Sequence, residues 1–191
     1  MKENTAENNH NIFEGLGQLV IEFERLILTL KVSIYTLLIL DGLKEVRYAR
    51  VMLAELTAYP MLQKFRSLLS IRYVGRDLEL KHVDRLFVLT EGLISQRNFM
   101  VHGSWFNDRT ESDPITAEIF KDKTFKRGVD EESHILSTAQ MQDLTEKIRQ
   151  ADSLFTTLNL CIYEPGCDLR QKLASAKIER LKIQSDFNGN N

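Results

Sequence analysis

Arg97, Asn98 and His102 stand together in the stretch Arg97-Asn98-Phe99-Met100-Val101-His102-Gly103-Ser104-Trp105, where an amphipathic segment ends. Arginine offers a planar fork of donors that fits a phosphate. Histidine gives and takes protons near neutral pH. A site that handles phosphate can use both, with the amide to position them. On an ideal helix Asn98 and His102, four apart, share a face, whereas Arg97 and His102, five apart, point about 140° away from each other. One straight helix therefore cannot aim both at one phosphate. Either the helix frays at its end or a second chain completes the site. Arg97 also falls on the same side as the apolar Leu93 and Ile94, where a charged residue needs a carboxylate, a ligand or a second subunit. His102 has a second reading, as a helix-terminal histidine whose protonated form suits the carbonyl end of the helix dipole. Trp105 likewise reads either as part of the site or as core or interface packing.

An arginine, a polar residue and a histidine four to six residues after the arginine resemble the motif of the HEPN superfamily, matched here by Arg97, Asn98 and His102 with Gly103 following. The match covers this motif and its place at the end of a bundle-like helix; the rest of the chain is similar in architecture only. The resemblance implies a compact helical bundle and a metal-independent endoribonuclease in a toxin–antitoxin, antiviral-defence or RNA-processing role. It further implies a homodimer in which two motifs meet in a composite cleft. The reaction would be attack of the ribose 2′-hydroxyl on the neighbouring phosphate with loss of the 5′-oxygen. His102 would serve as base or acid, a role worth about 10²–10⁴-fold. Arg97 would hold the phosphate and stabilise its added charge, and Asn98 would orient one of them. No cofactor is implied. The partners would be the RNA substrate, a second copy and an antitoxin or regulatory protein. The alternative is a non-catalytic HEPN-like bundle that serves as a dimerisation or partner-binding module.

The 191 residues suffice for one domain with a sizeable core, and 43% hydrophobic with 27% charged residues suits a soluble globular chain. A net charge of −2 supplies no global basic field, so an RNA surface must be a local patch. Arg72 and Arg76, in a basic half-helix with Lys64 and Arg66, and Lys172 and Arg180 near the C-terminus are the candidates for RNA contact; both groups read first as solvated surface. His10, His82 and His134 are scattered without ligand spacing, so no metal site is expected. Walker, dinucleotide and serine-elbow signatures do not occur; Gly15 and Gly17 lie inside a helical pattern. Cys161 and Cys167 flank Pro165-Gly166 and could approach each other; they are read as reduced thiols of a cytoplasmic protein. The N-terminus carries no signal-peptide core, and the longest apolar run, Val32 to Leu40, falls short of the ~20 residues a membrane span needs.

The elements that must position these residues follow from periodicity. The expected fold is mainly α, an up-down four-helix-type bundle with a short β-hairpin insertion and a C-terminal helix. Residues 1–11, rich in asparagine, are expected to be a disordered tail, 12–185 a single domain, and 186–191 a polar tail. Leu16, Val20, Phe23, Ile27, Leu30, Ile34 and Leu37 mark the first helix, which Asp41-Gly42 stops. A second helical stretch, Leu43 to Tyr73, is expected to break near Tyr59 because of Pro60. The third runs from Asp77 to His102. Residues 104–136 read as an insertion, with a strand at 115–120, a turn at Lys121-Asp122-Lys123 and a return through Thr124-Phe125-Lys126 to Gly128. Ser137-Thr138-Ala139-Gln140 is a capping box that opens the fourth helix, with Leu136 placed to staple against Met141. Pro165-Gly166 ends that helix, and a last one begins at Asp168.

Overall fold

The computed structural model describes residues 2–106, 116–125, 128–164 and 166–175 of a mainly helical chain. In order, the elements are α1 (Lys2–Leu40), α2 (Val46–Leu53), α3 (Ala58–Arg72), α4 (Asp77–His102), β1 (Ser104–Phe106), β2 (Thr116–Phe125), β3 (Gly128–Ser137), α5 (Thr138–Tyr163) and α6 (Leu169–Ser175). The described residues group into two compact units, one drawn from residues 2–22 and 95–146, the other from residues 23–94 and 147–175.

The larger unit is built from apolar stripes. Phe23, Leu26, Leu30, Ile34 and Leu37 of α1, Met61, Leu62, Phe65 and Leu69 of α3, Val83, Leu86, Phe87 and Leu93 of α4, and Ile148, Phe155, Leu158 and Ile162 of α5 are all buried. Three rings mark the centre. Phe65 and Phe87 lie 5.5 Å apart, Phe87 and Phe155 5.5 Å, and Phe65 and Phe155 6.0 Å, in tilted and edge-on arrangements that rings favour. Ser33 and Thr90, buried among these side chains, satisfy their hydroxyls on the carbonyls of Thr29 and Leu86, four residues earlier.

Polar side chains tie the helices at the edges of this core. Arg66 Nε of α3 donates to Asp84 Oδ1 of α4 at 2.9 Å, and Gln63 Nε2 donates to Glu91 Oε1 at 2.6 Å. Thr29 of α1 donates to Asp152 of α5.

Local chemistry sets the ends of these helices. At the end of α1, Leu43 N–H donates to Leu38 C=O (2.8 Å) and Gly42 N–H to Ile39 C=O (3.0 Å), with Gly42 at φ +101. This is a Schellman closure, and the left-handed position calls for glycine. The break between α2 and α3 falls at 54–57, earlier than the expected Tyr59. Pro60 sits in the first turn of α3, where its missing N–H has no helical partner to lose. At the other end, Asp168 Oδ1 accepts from Gln171 N–H (3.1 Å) and caps α6. Cys161 and Cys167 are paired as a disulfide, with Cα atoms 5.1 Å apart, rather than kept as the expected thiols. The turn at Gly166 (φ +87) folds the chain back and brings them within bonding range.

The smaller unit combines parts of α1, α4 and α5 with a three-stranded antiparallel sheet in the order β1-β2-β3. Helix α1 begins at Lys2 and includes the segment 2–11. Elongating a helix already nucleated beyond Ile12 costs far less than starting one. β2 pairs with β3 from Thr116↔Ser137 to Phe125↔Gly128. The chain therefore reverses after Phe125, not at Lys121-Asp122-Lys123, and a charged run occupies the strands themselves. The capping box forms as expected: Gln140 N–H donates to Ser137 Oγ (3.2 Å) and Ser137 N–H to Gln140 Oε1 (2.7 Å). Ile12, Leu19, Phe99, Met100, Ile119, Met141 and Leu144 are buried. A Cβ on Gly15 would stand 3.7 Å from Met141 Cε, so α1 and α5 approach closely there. The Leu136 side chain and residues 186–191 lie outside the described residues.

Candidate functional site at the end of α4

The last turn of α4 is fixed by what it buries. Phe99 and Met100 face the core, Gly103 N–H closes the turn on Phe99 C=O at 3.0 Å, and β1 begins at Ser104, opposite Phe120 of β2. A strand that starts two residues after His102 holds the helix end in place. His102 is the last residue of α4 and is exposed. It lies about 200° around the helix from the buried Met100, so its exposure follows from the helical turn.

Arg97 and Asn98 are brought together. Both are half-buried, and Arg97 Nη1 donates to Asn98 Oδ1 at 3.2 Å. Arg97 Nε is shielded from solvent, as the apolar side of the helix requires. His102 is not a member of that pair. The arrangement is thus a guanidinium steered by an amide on one turn and an accessible imidazole on the next. It can offer donors to an anion and a proton-transfer group to water or to a bound hydroxyl.

The candidate RNA-contacting residues fall elsewhere. Arg72 is paired with Asp41, and the Arg76 guanidinium lies over the Tyr73 ring at 5.0 Å. Lys172 is exposed on α6, and Arg180 lies outside the described residues. Arg66, from the same basic stretch, borders a cavity of about 280 Å³ between α3 and α4 with Ser67, Ser70, Leu80 and Asp84. Asp84 and Glu91 neutralise it there. Sequence reading passed over this network, although its signals were present: Gln63 and Arg66 are three apart, and Asp84 and Glu91 seven apart, spacings that keep each pair on one helix face.

Among the described residues no group of three or more His, Cys, Asp or Glu is placed to hold a metal ion, and no helix is long and apolar enough to cross a membrane. The fold and site define a mainly helical protein with an arginine–asparagine pair and an exposed histidine at one helix end. No family model, curated protein or solved structure matches the chain.

Proposed function

We propose that the protein is a HEPN-like, metal-independent endoribonuclease. The observation that carries the reading is the hydrogen bond from Arg97 to Asn98 one turn before the exposed His102. In this reading Arg97 binds the scissile phosphate and stabilises the charge that grows on it. His102 removes the 2′-hydroxyl proton or protonates the departing 5′-oxygen. Asn98 holds the guanidinium. Since a lone histidine serves either as acid or as base in one half-reaction, a second copy of the motif supplies the complementary group, and the active species is a homodimer. An antitoxin or another regulatory protein that covers the helix end would restrain it.

The test uses the full chain and a labelled RNA in EDTA, beside Arg97→Ala and His102→Ala. The expected products carry a 2′,3′-cyclic phosphate and a 5′-hydroxyl. Metal-dependent cleavage to 5′-phosphate ends, or cleavage unchanged in His102→Ala, overturns the mechanism.

A second reading, a non-catalytic bundle that binds partners, is favoured by the large apolar side chains exposed on α1, among them Leu28, Val32 and Ile39. It predicts that neither substitution alters the cellular effect of the protein.

A further inference from the structure

The outer face of α1 carries a narrow apolar seam. The helix buries Phe23, Leu26, Leu30, Ile34 and Leu37 on one side. On the other stand Ile21, Arg25, Leu28, Val32, Tyr35 and Ile39, at successive steps of four, three, four, three and four residues. At 100° per residue these six fall within an arc of about 80°. Ile21 is 62% exposed, Leu28 61%, Val32 41% and Ile39 47%. A stripe that narrow, with a strict seven-residue repeat, is the pattern of a helix-pairing seam rather than of a face that packs on a broad core.

The order of residues in the seam is self-complementary when reversed. Two copies of α1 placed antiparallel about residue 30 would set Ile21 against Ile39 of the other copy, Arg25 against Tyr35, and Leu28 against Val32, and then the same three contacts again by symmetry. Shifting this register by a heptad leaves seam residues without counterparts. A parallel, in-register pair would stack Arg25 on Arg25, two like charges taken from water together. The reversed pair places each guanidinium over a tyrosine ring, a favourable contact. Arg25 also lies 4.0 Å from Asp152 and is 62% exposed at the side chain, so it can reach across the seam without losing that neighbour. The contact is isologous and closes on itself as a two-fold dimer requires. Six layers along about 27 Å of helix give the seam the length of a specific helix pair.

We propose that two copies of this chain associate through α1 as an antiparallel helix pair centred on residue 30. The proposal does not rest on the ribonuclease reading. Sedimentation of the full chain across a concentration series is expected to show a dimer. Leu28→Lys and Val32→Glu, both exposed substitutions, are expected to sediment as folded monomers, with helical circular dichroism unchanged. Mixing the two variants should restore the dimer. The lysine introduced at position 28 of one copy would meet the glutamate introduced at position 32 of the other, while the second layer keeps its native Val32–Leu28 contact. A parallel pair gains no such rescue. A wild-type monomer at high micromolar concentration, variants that dimerise as the wild type does, or a mixture that stays monomeric each overturns the proposal. A wild-type monomer would count against the homodimeric nuclease as well, whereas a wild-type dimer whose two variants still dimerise overturns the seam alone, and RNA cleavage, scored separately, tests the nuclease.

Discussion

His102→Ala and Phe99→Ala, three residues apart on the last turn of α4, should separate chemistry from stability. Phe99 is only 9% exposed. Truncating a buried phenylalanine removes its transfer energy and leaves a cavity, at a cost of about 3–5 kcal/mol. His102 is exposed and opens no cavity, so its removal should cost no more than ~0.5 kcal/mol. For a chain of this size each kcal/mol lowers the melting temperature by about 2–4 °C. Phe99→Ala should therefore melt roughly 6–20 °C lower than the wild type and His102→Ala less than about 2 °C lower. Cleavage should order them the other way. His102→Ala should lose about 10²–10⁴-fold in turnover, while Phe99→Ala, assayed below its melting point, should keep measurable activity. The paired assays are thermal denaturation followed by circular dichroism and single-turnover cleavage of labelled RNA in EDTA. A His102→Ala protein that melts as low as Phe99→Ala refutes the placement of His102 outside the core. One that cleaves at the wild-type rate refutes its role as proton carrier.

Arg97→Ala should abolish cleavage and lower stability by about 1 kcal/mol, since the half-buried hydrogen bond to Asn98 is lost; denaturant titration measures the second effect. Asn98→Asp should remain folded yet cleave RNA more slowly than Asn98→Ala, as read from single-turnover rates on one substrate. Ser137→Ala should cost about 1 kcal/mol by removing the cap on α5, with the loss seen as a lower denaturation midpoint at unchanged m-value. Gly42→Ala should destabilise by about 1 kcal/mol or more, because φ +101 suits glycine alone; thermal melting of the variant checks it.

How far the chain could be read depended on whether the controlling interaction was local. The bounds of α4, Asp77–His102, were legible because an apolar repeat continues without interruption between a glycine turn and the switch to strand. The start of α5 was legible because the capping box is closed by side chains three residues apart. Met141, Leu144, Ile148, Ala151, Phe155, Leu158 and Ile162, which recur at helical spacing along α5, are all buried. The break before α3 falls short of Tyr59 because Thr57 and Ala58 begin a helix that admits Pro60 at its third position, where proline does not break it. The turn between β2 and β3 was misplaced because Lys121-Asp122-Lys123 carries turn-like polarity, while cross-strand pairing keeps it extended. The β1–β2 pairing, the disulfide and the division into two units depend on residues that only the folded chain brings together, and periodicity carries none of that.

At the site itself, residue types and their helical faces were legible, and the hydrogen bond between neighbours was not. The angular objection to a site on one helix concerned Cα positions, with Arg97 about 140° from His102. Side chains shift that balance. Asn98 lies about 100° from Arg97 and only about 40° from His102. A guanidinium that donates to Asn98 Oδ1 is therefore drawn round the helix toward the face that His102 occupies. The amide acts as the bridge across the gap, and this fixes why its replacements should differ. An alanine at 98 releases the guanidinium to its rotamers but leaves its charge available to a phosphate. An aspartate keeps the guanidinium in place and neutralises it, which a phosphate-binding role cannot tolerate. If Asn98→Asp proves as active as the wild type, Arg97 is held for packing and the phosphate must find its cation elsewhere.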